Sequence, residues 1–234
     1  MPAAPIGPRS RQRAGMSSPR ALARTAGLLY LIVAVSTIFA GLVNSRIDSG
    51  TIAASATLYR VGFVSELVGA VAFLLTSMTL YLLLKHVNQM AAAAMVIFVA
   101  VSVAIQTMNL LNQHTALTIA TSQEYAFGPP IAAQLTTLFA DMQSNGFLIA
   151  QTYFGLWLLP LGYLVMKSDY FPKALGVLLV IGCCGHLVDV FSRFLAPGFG
   201  ADVSPFAMTF AAIAELSFIA WLLVTSGRRS SRSA

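Results

Sequence analysis

Six stretches of this sequence, residues 25–43, 61–84, 91–112, 146–166, 174–194 and 205–226, are nearly unbroken runs of apolar side chains. A bilayer core of roughly 30 Å takes about 20 such residues to cross as a helix, and every run has about that length. In hydrocarbon the backbone N–H and C=O groups must be satisfied within the segment, so the runs predict helices. They use most of the 234 residues, leaving one membrane domain at 21–228 and no room for a separate soluble catalytic one. The expected class is all-α: a polytopic membrane six-helix bundle whose partner, before any other, is the lipid bilayer.

The charge distribution orients that bundle. Arg9, Arg11, Arg13, Arg20 and Arg24 precede the first run, and Lys85, Lys167, Lys173, Arg228, Arg229 and Arg232 fall on the same side once six crossings are counted. Arg46, Arg60 and Arg193 alone fall on the other. The positive-inside rule then predicts a multi-pass protein of the cytoplasmic (inner) membrane with both termini in the cytoplasm. The net charge of +6 is thereby a topology signal and no sign of a nucleic-acid partner, because the basic residues cluster at helix ends rather than on one folded face. Residues 1–20, rich in Pro, Gly and Arg, read as a disordered basic tail with either Met1 or Met16 as the start, and 229–234 as a second basic tail. A retained first helix fits this topology better than a cleaved signal peptide. Cys183 and Cys184 are adjacent inside the fifth run and read as small apolar side chains, not as a disulfide or zinc site.

The connections KHVNQ and KSDYFPK are short, so the helices they join are antiparallel neighbours. The stretch 113–145 is the long one, and within it Ile131, Leu135, Leu138, Phe139 and Met142 recur at helical spacing after Gly128 and its two prolines. This predicts an amphipathic helix in the third, outer loop, lying on the outer face of the bundle or in the membrane interface, with Gln134, Thr137 and Asp141 toward water. Pro160 should kink the fourth helix. Gly62, Gly69, Ala72, Gly182 and Gly185 suit close helix contact.

Ionisable groups inside the runs carry the functional question. In GHLVDVFSRF, His186, Asp189 and Arg193 occupy a narrow sector of one helix face, and Asp189 four residues before Arg193 is the favourable order for an ion pair. Counted at about 1.5 Å per residue, Glu66, Asn109, His186 and Glu215 lie at or beyond the midplane, in the outer half. A lone carboxylate in hydrocarbon costs at least about 2.5 kcal/mol, so Glu66 and Glu215 should face inward to partners or a wet cavity, or else be protonated. One reading is an outward-open pocket lined by Glu66, Asn109, His186, Asp189 and Glu215, with Arg60 and Arg193 at its rim, which binds or passes a small polar or cationic ligand. In that reading Glu66 and Glu215 are the charged contacts. The alternative is a non-catalytic membrane scaffold or subunit, in which Arg60 or Arg193 pairs with the carboxylates to lock helices or to recruit a membrane protein or a second copy. An intramembrane enzyme or metal protein ranks third. The motifs HExxH, GxSxG and the P-loop are missing, and His86, His114 and His186 have no ligand spacing, so no catalytic residue, metal or cofactor is expected.

Four stretches together, ARTAGLLYLI (Ala23 to Ile32), LYRVGFVSELVG (Leu58 to Gly69), YLLLKHVNQ (Tyr81 to Gln89) and FGLWLLPLGYLVMKSDYFPKALGVLLVIG (Phe154 to Gly182), resemble a family of small bacterial membrane proteins known as domain of unknown function 4386. The resemblance covers most of the chain beyond the N-terminal tail. It implies a six-helix bundle, no assigned activity, and Arg60, Glu66 and Asp189 as matching polar positions. Gln143 and Trp157 stand where the family commonly has histidines, which implies that any chemistry those histidines perform is lost here.

Overall fold

The structure is a computed structural model that describes residues 18–122 and 127–225. The tail expected at 1–20 therefore lies outside the described residues up to 17, and the tail at 229–234 does so entirely. Among the described residues seven α-helices form six candidate crossings: α1 (Pro19–Arg46), α2 (Ala56–Leu84), α3 (Gln89–Thr121), α4 (Pro129–Leu156) with α5 (Leu158–Lys167), α6 (Lys173–Leu195) and α7 (Pro197–Thr225). These six spans are each long and apolar enough to cross a membrane, and the all-α class follows.

Helix ends carry local signals. The Ser18 hydroxyl and the Asn88 side-chain oxygen each accept from a backbone N–H in the first turn, capping α1 and α3. Pro172 is the N-cap of α6, where its missing N–H is harmless. Between α1 and α2 the chain makes a single 3-10 turn at Ser49–Thr51.

Three boundaries differ from those expected. Residues 131–142 are helical, yet they form no separate element over the bundle; they are the first turns of α4, continuous with the fourth crossing. Their polar side, Gln134, Thr137 and Asp141, is exposed as the spacing predicts, but Leu138 and Met142 are exposed as well, while Thr136 and Gln143 turn inward. The last crossing begins at Pro197 rather than near Pro205, because Ala196 alone separates α6 from α7 and Pro205 is accommodated inside the helix. And α3 continues to Thr121, nine residues past its apolar run.

The helices pack as a ring. α1 lies on α2, α2 on α3, α3 on α4, α4 on α6, α6 on α7, and α7 returns to α1. Alternating directions gather the chain into two ends: a near end with the start of α1 and the finish of α7, and a far end with the 3-10 turn and the α6–α7 turn. Pro160 cannot donate to the carbonyl of Leu156, and the helix breaks there at Trp157. The break lets α5 turn inward, packing on α6 and reaching α3. Trp157, Leu158, Leu161, Leu164 and Val165 are consequently fully enclosed and fill the near half of the ring with a solid core. Outward, Val35, Val71, Ile97 and Leu111 present apolar surface at about 60% exposure, suited to lipid rather than water.

Candidate functional site

With α5 packed at the near end, the ring is hollow beyond it. An inner cavity of about 230 Å³ sits behind Tyr30, Phe73, Phe154, His186 and Glu215. An outer cavity of about 460 Å³ adjoins it toward the far end, lined among others by Asn44, Glu66, Gln143, Asp189 and Arg193. Thr37, Gln106, Phe147, Gln151 and Met208 border both.

Glu215 is the centre of the inner site. One of its oxygens accepts from the Tyr30 hydroxyl of α1, and the other lies 2.9 Å from His186 Nε2 of α6. A single carboxylate on α7 thus joins three helices. The His186 ring is held edge-on to Phe154 at 5.2 Å between centroids. Gly155 makes this approach possible, since a Cβ there would stand 2.5 Å from the His186 Cβ. Nδ1 of His186 is buried and has no hydrogen-bond partner among the described residues.

The outer site contains two carboxylates in contrasting settings. Asp189 is buried and saturated: Arg193 Nε donates to Oδ1 at 2.9 Å, Gln151 Nε2 donates to Oδ2 at 2.8 Å, and the same Arg193 donates to the Ser204 hydroxyl at 2.6 Å. Glu66, only 6% exposed, accepts a 3.0 Å hydrogen bond from Asn44 Nδ2, and Asn44 in turn accepts from Gln113 Nε2 at 3.3 Å. Among the described residues Glu66 has no cationic partner.

Other expected positions are placed differently. Asn109 is buried but lines neither cavity; its amide donates to the Gln143 carbonyl at 2.7 Å and ties α3 to α4. Gly146 gives it room, as a Cβ there would collide with the amide. Arg60 is exposed, borders a separate pocket with His114, and among the described residues forms no ion pair with the buried acids. The cause is rotational: Tyr59 takes the inward position and turns its neighbour out. His114 lies near the Phe63 ring at 6.3 Å and does not meet His186. A single pocket of five polar residues is accordingly replaced by two adjoining cavities, with His186 and Glu215 in one and Glu66 and Asp189 in the other.

The family profile described as domain of unknown function (DUF4386) matches residues 25–225. The chain belongs to the DUF4386 family. An uncharacterized protein of Archaeoglobus fulgidus is 28% identical over 155 residues, which is 66% of this chain and 76% of the relative. No solved structure gives a significant match. In this DUF4386 protein both cavities and all the groups around them fall inside the matched segment. Gln143 is a buried link to α3 and Trp157 a fully enclosed core residue. Tyr30, Asn44, Gln151 and Ser204 are the site residues that the sequence reading lacks. Tyr30 stands inside ARTAGLLYLI, where a phenol among leucines in an apolar helix was the available signal.

Proposed function

We propose that this is a protein of the cytoplasmic membrane, with its near end and both termini in the cytoplasm, that binds a small cationic ligand in the hollow open to the outer side. The single observation that carries this reading is Glu66: a buried carboxylate on the wall of a 460 Å³ cavity whose partner is a neutral amide. A buried acid with no cation to balance it is costly, and a bound cation would repay that cost. Arg193 does not serve, because it is committed to Asp189 and Ser204. We assign that second set to holding α4, α6 and α7 together. Binding is favoured over passage, since the enclosed side chains of α5 close the near half.

The test is thermal unfolding of the purified protein with methylammonium, alkali cations and a neutral isostere of each amine. A cation is expected to raise the midpoint of the wild type. Glu66→Gln, which keeps the shape and the Asn44 contact, is expected to fold and to lose at least about tenfold in apparent affinity, equivalent to ~1.4 kcal/mol. Equal shifts in both proteins, or none in either, would remove the proposal.

A further inference from the structure

We infer that the ligand is an amphiphile, a cationic head on an apolar chain, taken sideways from the bilayer between α1 and α7. This rests on the reading of Glu66 above and names the ligand's chemistry.

The outer cavity carries the acids Glu66 and Asp189 and more polar side chains than the inner one, which is walled mainly by Val33, Ala34, Phe73, Phe147, Leu216 and Ile219. The two share a border, so one molecule can place its head by Glu66 and its chain beyond Thr37 and Phe147. At roughly 30 Å³ per water-sized group, 230 Å³ accommodates a chain of about eight carbons. Around the pair of cavities stand Glu66, Asp189 and Glu215 against Arg193, with His186 at Glu215, so the acids outnumber the fixed cation. That balance favours an amine head over a carboxylate or phosphate.

The route is indicated by which wall residues also face outward. Of those lining the inner cavity, the exposed ones are Ile38, Ala212 and Leu216, and all lie on α1 and α7. These helices meet closely toward the near end, where an added Cβ at Gly27 would lie 3.0 Å from the Leu222 Cβ. The hydrogen bond from Tyr30 to Glu215 fastens them again farther along. On the far side of that latch, the side chains of Ile38 and Ala212 border the cavity on one face and the exterior on the other. Ile38 is eight residues before the end of α1, about 12 Å in at 1.5 Å per residue, which is the depth of acyl chains rather than of headgroups.

Trp157 supplies the readout. Its ring is 5.0 Å from Phe73 and 5.4 Å from Tyr30, both wall residues, and the sequence has one other tryptophan, Trp221. In a Trp221→Phe background, reconstituted in phosphatidylcholine nanodiscs, 8-bromooctylamine is titrated as a short-range quencher carried at the end of an eight-carbon chain. Saturable quenching of Trp157 is expected, displaced by excess octylamine and at least tenfold weaker in Glu66→Gln and in Ala212→Phe. Ala212 is exposed, so the larger side chain narrows the opening without entering the core. Should Glu66→Gln fail to fold, competition by methylammonium against the bromo-amine reports on the same head contact. 8-Bromooctanoate, matched in bilayer density, sets the level of non-specific quenching. Quenching no greater than that level, or undiminished in Ala212→Phe, overturns the inference. If methylammonium still stabilises the wild type through Glu66 in that case, the proposed cation site stands and only the amphiphile is wrong; if it does not, both fall.

Discussion

Trp157→Ala is expected to lower the unfolding free energy by about 3–5 kcal/mol, the range for deleting a large aromatic from a packed interior. Trp157 is fully enclosed, edge-on to both Tyr30 and Phe73. Its indole N–H has no hydrogen-bond partner among the described residues, so the loss is one of packing and not of a polar contact. Neighbours packed on every side relax only partly around a smaller side chain, so the void should persist. Thermal unfolding in detergent, measured beside Trp157→Phe, checks this: the phenylalanine variant should retain most of the stability, and similar midpoints for wild type and the alanine variant would show that the near half is not the core described.

Gly162→Val should be comparably severe through the opposite fault. A Cβ at Gly162 would stand 2.7 Å from the carbonyl oxygen of Gly176 and 2.8 Å from Val180, at the crossing of α5 and α6. The first of these neighbours is backbone and cannot swing aside. Overpacking costs about 1–3 kcal/mol where side chains can adjust, and this site belongs at or above the upper end. Circular dichroism and size-exclusion behaviour in detergent should show a helical but earlier-melting protein. A variant as stable as the wild type would mean that α5 and α6 separate at little cost, contrary to their contact.

How much of this was legible beforehand depends on the reach of each signal. The six crossings are a matter of local composition, and the Asp189–Arg193 pair is a matter of spacing on one helix, so both could be read in line. The partners of Glu66 and Glu215 could not. Asn44 is 22 residues from Glu66 and Tyr30 is 185 from Glu215, and their meeting depends on how each helix is rotated about its own axis. In water an apolar stripe reveals that rotation; in lipid both faces are apolar, and the stripe vanishes. The same blindness explains α4, where Thr136 and Gln143 face inward while Leu138 and Met142 face out. It explains Arg60 too, which shares a helix with Glu66 but not its face.

The packing of α5 across the near half also bears on electricity. A membrane potential falls where conducting solution ends; with the outer cavity open to solution on one side, as proposed above, the core around Trp157 is the part that solution does not enter. Most of the voltage must then drop across the near half. A full crossing is worth about 2.3 kcal/mol per charge for each 100 mV, but a cation arriving at Glu66 from outside would traverse only a small fraction of it. Such a site can be filled in an energised cell and in a depolarised one with nearly the same affinity.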